Sequence, residues 1–429
     1  MKGLRIYQVL LPITLFALLC SQLAVAEETE TENETASIPV EELRLFAEVF
    51  DRIKSAYVEP VSDKKLLEDA IRGMLSGLDP HSAYLDAKAY ENLQVHTSGQ
   101  FGGLGIEVGL QDGFIRVIAP IDDTPAQRAG IQAGDLITKI GDESIQGVSL
   151  NEAVDKMRGQ IGTRVTLTLM REGIEKPFEL TLERASISVT SVRHRLLETS
   201  YGMIRISQFQ NNTAEQLTRS IEALKAMGEL KGIVLDLRNN PGGVLQAAVQ
   251  VSDAFLSDGL IVYTDGRLPN SELSFSATPE TAAGDIPVVV LINAGSASAS
   301  EIVAGALQDH RRAIVMGTDS FGKGSVQTIL PVSVDRGVKL TTARYYTPNG
   351  RSIQADGIRP DVVVEDARIT RIEETAGQLR ERDLSGHLLG EEHAETNDEA
   401  DEMLGQRDYQ LYEALNLLKA LNILRSDKG

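Results

Sequence analysis

The sequence predicts an α+β, multi-domain chain: a βα core with a largely parallel sheet, an inserted block of short strands, and helical segments at both ends. Three observations carry this. After Tyr201, apolar runs at Met203–Ile206, Gly232–Leu237, Ile286–Ile292 and Ala313–Met316 alternate with helix-period stretches at 213–227, 243–257 and 298–309, the pattern of strands covered on both faces by helices. Between 99 and 184, short strands of alternating polarity follow a glycine-rich opening and surround one helical stretch, Leu150 to Met157. Towards both ends, apolar residues recur at three- and four-residue steps.

In chain order, Lys2 and Arg5 precede an apolar run from Val9 to Cys20, and Ala24-Val25-Ala26 offers a small-residue cleavage site. This is the layout of a secretory signal peptide over residues 1–26, with a run too short for a comfortable membrane span. Leu19 stands where a lipid-attachment signal usually carries a small residue, so cleavage near Ala26 is expected ahead of lipidation at Cys20. The expected location is the periplasm or an equivalent exported space. Cleavage leaves 403 residues and removes the single cysteine, so neither a disulfide nor a thiolate nucleophile remains. It also takes the formal charge from −20 to −22, which disfavours nucleic acid as a partner.

Residues 27–38 read as a flexible linker. In the helical region 39–98, Leu43, Phe46, Val49, Phe50 and Ile53 form one stripe, and Leu66, Leu67, Ala70, Ile71 and Leu75 a second, which Leu78-Asp79-Pro80-His81 ends. The core spans 185–365, an acidic linker 366–402, and a last helix 403–429 with Leu411, Leu415 and Leu418 on one face. Such apolar faces suit either packing on the core or self-association; a homo-oligomer is expected.

Within 99–184, Val165, Leu167 and Leu169 face Phe178, Leu180 and Leu182 across a Glu172-Gly173 turn, a hairpin with one buried face. Gly103-Leu104-Gly105-Ile106, Thr124-Pro125-Ala126, Ala129-Gly130-Ile131 and Gly134-Asp135-Leu136-Ile137 follow in that order, and with them the block resembles a PDZ domain. A glycine-rich loop can aim several N–H groups at one carboxylate, and an open strand edge can accept a peptide. The resemblance implies that Leu104, Gly105 and Ile106 receive a substrate C-terminus.

Gly295-Ser296-Ala297-Ser298-Ala299-Ser300-Glu301 lies between an apolar strand and a helix. A serine there has free N–H groups and the positive end of the helix dipole beside it. Ser298-x-x-Glu301 equally fits a capping box, and three serines leave the nucleophile unidentified. Glu301, Gln308 and Asp309 are expected to face outward, opposite Ile302, Val303, Ala306 and Leu307. The second segment is Ser320-Phe321-Gly322-Lys323-Gly324-Ser325-Val326-Gln327. Together with Asp236–Gly243, Tyr346–Gly350 and Gly357–Asp361, these two segments resemble the carboxyl-terminal processing (tail-specific) proteases. The likeness runs over roughly 40–365.

That resemblance implies a serine endopeptidase in which Ser298 is the nucleophile, Lys323 the general base and Gln327 a supporting residue. Lysine serves as a base only when neutral, so its ordinary pKa of about 10.4 must fall, and burial is the usual cause. Phe321, Val326 and Ile329 are candidates to line its pocket, with Asp319 opposing if close. The expected oxyanion hole is the Ala299 N–H with an N–H of Gly242 or Gly243. The expected partners are proteins or peptides with accessible C-termini and an activating adaptor protein.

None of the six histidines lies in a nucleophile-elbow context, His310 reads as a helix-end residue, and no metal motif or cofactor site is expected. Two rival readings stand beside the protease. A nucleotide site at Gly317-x-x-x-x-Gly322-Lys323 lacks the Ser or Thr that magnesium requires, because Gly324 stands there. A catalytically inactive PDZ adaptor on a protease scaffold is disfavoured by the intact Ser298, Lys323 and Gln327.

Overall fold

The computed structural model describes residues 39–426 apart from 112, 122, 269–270, 368–384 and 386–403. The expected signal peptide and flexible linker, and most of the acidic linker, lie outside the described residues. The chain divides into two compact units, one ending at Ile71 and one beginning at Arg72. In the first, the helix Val40–Ala56 buries none of its residues, and Leu43, Phe46, Val49 and Ile53 remain exposed along its stripe.

The second unit is built on a six-stranded sheet. Its order is Val192–Glu198, Tyr201–Ile206, Gly232–Asp236, Val288–Ile292, Ala313–Gly317 and Val362–Val363. The first pair is antiparallel and every later pair parallel, as the alternating grammar predicts. Side chains alternate between the two faces of a strand, so Ile233 and Leu235 join one core with the helices Thr213–Ala226, Leu245–Asp253 and Ala299–Asp309. Val234, Val289, Leu291 and Met316 point the other way. There the last helix, Tyr409–Ser426, seats Leu411, Ala414, Leu415 and Leu418, each almost wholly buried. Its apolar face is therefore taken up by the sheet and is not left for a second copy of the chain.

Just before that helix, Asp408 meets the Arg238 guanidinium at 2.7 Å, and Arg238 also holds the fully buried Asp236 at 2.9 Å. Burial pushes the Asp408 carboxyl up, but Arg238 outweighs it and holds the group below the usual carboxylate range. This ion pair ties the C-terminal segment to the strand end that leads into Asn239-Asn240-Pro241-Gly242-Gly243.

A second, antiparallel sheet escapes the sequence reading. Ala83–Leu85, Arg336–Tyr346, Leu260–Asp265 and Ser274–Ser276 lie in that order, with Ser325–Ser333 also paired to Arg336–Tyr346. The mixed polar text of Lys339-Leu340-Thr341-Thr342-Ala343-Arg344 conceals a strand that is only half-buried.

The inserted block has its own sheet, in the order Ile106–Gln111, Phe114–Pro120, Leu136–Ile140, Arg164–Met170, Phe178–Glu183. The hairpin register is as expected: Val165 opposes Leu182, Leu167 opposes Leu180 and Leu169 opposes Phe178. Its core, around Ile115, Ile137, Leu167 and Leu169, is separate from that of the larger sheet. Gln100–Gly103 pairs with Ala185–Ser188, so the block leaves and rejoins the chain through one two-stranded ribbon.

Candidate active site

Ser298 stands at the start of the helix Ala299–Asp309 with φ +57 and ψ −111. For a residue with a side chain this costs on the order of 1–3 kcal/mol, which the surroundings must hold in place. The holding is visible. The Ala297 N–H donates to the Asn240 carbonyl at 3.0 Å, and the Ser300 hydroxyl donates to that same oxygen at 2.9 Å. The Ser296 hydroxyl donates to the Leu237 carbonyl at 2.8 Å. Ser296 and Ser300 are fully buried, so two of the three serines are committed to structure.

Ser298 caps the helix through its main-chain oxygen, which accepts the Glu301 and Ile302 N–H groups. The Glu301 carboxylate completes the capping box from the other side by accepting the Ser298 N–H at 2.6 Å. The Ser298 hydroxyl faces a cavity of about 450 Å³ shared with Lys323, Gln327, Gly242, Gly243 and Tyr345. The sequence left capping and catalysis as alternatives for Ser298. Here the two coexist: the helix start is capped while the Ser298 side chain borders the cavity beside the Tyr345 phenol.

Glu301 reverses the expectation that it faces outward: it has no exposed surface. One carboxylate oxygen accepts the Ser298 N–H at 2.6 Å and the Lys323 N–H at 3.0 Å, and the other accepts the Ser320 hydroxyl and the Gly322 N–H, each at 2.6 Å. A buried carboxylate with four donors is a satisfied one. Glu301 thereby clamps the lysine loop onto the serine turn. Asp309 is also turned in, against Arg351 and the Asn349 N–H.

Lys323 is half-buried in the cavity wall. Burial lowers its pKa most, Lys339 lowers it further, and Glu301 and then Asp79 oppose. The opposing acids are therefore not Asp319. Phe321 is largely exposed, whereas Val326 and Ile329 do line the cavity. No hydrogen bond joins Lys323 to Ser298. The Ser298 hydroxyl instead meets the phenol of Tyr345, whose hydroxyl donates to the Lys323 carbonyl. Burial pushes that phenol far above its ordinary pKa, so it stays neutral and able to donate. Gln327 also lines the cavity, but its amide donates to the Ser325 hydroxyl at 2.9 Å and not to the lysine.

Of the two glycines expected near the oxyanion, Gly242 already donates to the Asn240 side chain at 3.0 Å. Gly243 and Ala299 also border the cavity, and neither N–H is spent on such a bond. Gly242 has another role: at φ +98, a Cβ there would stand 2.7 Å from the Ala297 carbonyl and 2.8 Å from the Ser298 Cβ. The loop reaches the serine only because this residue has no side chain.

Asp79, His81, Lys339 and Tyr345 were not among the sequence candidates. Asp79-Pro80-His81 is legible only as a helix breaker, and the two strand residues sit in the sheet that the sequence concealed. Among the described residues, no three His, Cys, Asp or Glu side chains group as metal ligands.

In the inserted block, Ile106–Gln111 is an edge strand. Between it and the helix Leu150–Met157 lies a groove of about 110 Å³ bordered by Leu104, Gly105, Ile106, Val154 and Met157. Gly105 has φ +76, and a Cβ there would stand 2.3 Å from that of Thr124. The Leu104 and Gly105 carbonyls accept the Ala126 and Ile121 N–H groups, and across each trans peptide the N–H of the following residue, Gly105 or Ile106, points away from that carbonyl.

Comparison with known proteins agrees with this architecture. Peptidase family S41 matches residues 200–364, a PDZ domain matches 116–171, and the N-terminal domain of the activating protease CtpB matches 17–89. A carboxy-terminal-processing protease of Bartonella bacilliformis is 46% identical over 405 residues, 93% of each chain. A carboxyl-terminal-processing protease of Synechocystis is 40% identical over 332 residues, 76% of this chain and 77% of its own. The solved photosystem II D1 C-terminal processing protease is 30% identical, covering 76% of this chain and 93% of its own with a TM-score of 0.44. With two thirds and more of these curated relatives matched at such identity, the chain belongs to the carboxy-terminal-processing proteases of peptidase family S41, serine-type peptidases that carry a PDZ domain.

Proposed function

We propose that this chain is an exported endopeptidase that works by a Ser298–Lys323 dyad and receives protein C-termini at its PDZ block. The observation that carries the reading is the shared cavity. A serine at a helix start and a half-buried lysine line it together, on two segments clamped by Glu301.

In this reading the Ser298 oxygen attacks the scissile carbonyl carbon while its proton passes to the neutral Lys323 amine. The resulting oxyanion lies against the N–H groups of Ala299 and Gly243. Collapse of the intermediate breaks the C–N bond, and the Lys323 ammonium protonates the leaving amine. Water then attacks the acyl-enzyme carbonyl, giving a proton to Lys323, which passes it to the Ser298 oxygen as the ester C–O bond breaks. Gln327 supports the strand that follows the lysine.

At the PDZ block, a tail would add to the edge strand Ile106–Gln111 with its carboxylate at the N–H groups of Leu104, Gly105 and Ile106. The reading extends to export through residues 1–26, to an activating adaptor, and to self-association through the exposed stripe of the helix Val40–Ala56.

The neutral amine is the active form, so kcat/KM rises with pH through the Lys323 pKa, and the lowered value brings that rise towards neutrality. The test is hydrolysis of a disordered peptide from pH 6 to 9 by the wild type, Ser298→Ala and Lys323→Ala. A rising limb in the wild type and loss of cleavage in both variants are expected. A flat profile, or cleavage retained in either variant, would refute the dyad.

A further inference from the structure

We propose that Lys339 is a positioning residue for the lysine base: its ammonium, standing in the same cavity without a counter-ion, keeps the Lys323 amine in the neutral form that accepts the serine proton. This rests on the reading of Lys323 as the base. Lys339 projects from the strand Arg336–Tyr346, where it pairs with Ile329 on one side and Ala83 on the other. It is half-buried and lines the cavity along with Lys323, Gln327 and Ile329. Among the described residues, no carboxylate pairs with it.

The acids nearby are engaged elsewhere. Asp79 accepts the Ser82 hydroxyl at 2.6 Å, the main-chain N–H groups of His81 and Ser82 at 2.8 and 2.9 Å, and the Thr341 hydroxyl at 3.2 Å. Glu301 holds its four donors. Both carboxylates favour an ammonium at position 323. These two acids work against a neutral amine at that position.

The opposing groups are burial, Lys339 and, when protonated, His81. Burial lowers the His81 pKa most, with Lys323 and then Lys339 acting in the same direction around the contrary pull of Asp79. His81 is therefore uncharged where the enzyme would work. A second imidazole, His96, borders the cavity from the helix Ala87–Ser98. Lys339, on the cavity wall, is the cation set against Asp79 and Glu301. Its lowering of the Lys323 pKa is second only to that of burial.

The experiment measures kcat/KM against pH for the full chain on one disordered peptide, comparing the wild type with Lys339→Met, Lys339→Arg and Lys339→Glu. The rate follows the fraction of neutral base. The ratio of Lys339→Met to wild type should therefore sit at a constant value below one on the acidic limb and return to about one on the alkaline plateau. Lys339→Arg should track the wild type, and Lys339→Glu should move the limb further towards high pH. A ratio that is depressed equally at every pH would mean a structural role only and overturn the proposal, as would superimposable profiles. Lys339→Gln replaces the Met variant if that chain melts below the assay temperature, and is read in the same way. Retention of cleavage by Lys323→Ala would sink the underlying reading instead, a result distinct from any outcome at position 339.

Discussion

Replacing Glu301 by glutamine keeps the shape of the side chain and removes its charge at the point where the serine and lysine segments meet. Four donors converge there, two on each oxygen. An amide nitrogen in place of one oxygen must face one of those pairs. It is better accommodated beside Ser320, whose hydroxyl can turn and accept, and this strands the Gly322 N–H. A buried donor without a partner costs about 1–3 kcal/mol. The bonds from Ser298 and Lys323 then fall from charge-assisted to neutral strength, a loss of about 1 kcal/mol each. The expected destabilisation is about 3–5 kcal/mol, a large share of the roughly 5–15 kcal/mol that holds a domain folded.

Urea unfolding measures that loss, and the pH profile of kcat/KM measures its chemical counterpart. Because the Glu301 charge favours an ammonium at 323, the variant's rising limb should move to lower pH. Its plateau should fall as the lysine loop loosens. An unchanged urea midpoint together with an unchanged plateau would refute the clamp.

Three further expectations follow from the same geometry. Gly242→Ala puts a methyl group 2.9 Å from the Ala299 nitrogen and closer still to Ala297 and Ser298; kcat should fall about 100-fold or more, the scale of losing an oxyanion donor. Asp408→Asn removes a charged partner of Arg238 and should cost about 2 kcal/mol, read as faster amide exchange in residues 409–426; unchanged exchange would mean the pair does not hold that helix. Gly105→Val forces a side chain onto Thr124 at φ +76 and should abolish binding of a free peptide C-terminus while cleavage of a short amidated peptide survives; equal loss of both would tell against separate roles.

The parts of this fold legible from the chain are those whose apolar pattern is continuous. The runs at Gly232–Leu237 and Ile286–Ile292 are buried on both faces, and Asp236 is the single charged residue within them, so the parallel sheet can be read directly. The hairpin at Val165–Leu169 and Phe178–Leu182 is legible for the complementary reason, strict alternation over one buried face. Arg336–Tyr346 has neither signature. It is flanked by strands on both sides but open on part of its surface, and its lysines, threonines and arginines hide its period. Lys339 and Tyr345 were lost with it.

Local text also misjudged Glu301. Helical periodicity assigns a charged residue to solvent, and only a loop arriving from twenty residues downstream supplies the donors that let the charge be buried. At the last helix, Leu411, Leu415 and Leu418 announced an apolar face, but periodicity says nothing about what covers that face.

The sequence by itself determined the family, the layer of helices and parallel strands, the inserted block, and the two short segments in which Ser298 and Lys323 stand. Spacing along the chain carries that much, because local turns and repeating burial depend on near neighbours. The tertiary structure alone decided which serine borders the cavity, which glycine N–H is spent on a side chain, and which charges face the lysine. Each of these depends on groups far apart in the chain being packed within a few ångströms of one another, where burial and Coulomb forces, rather than residue order, set the protonation state.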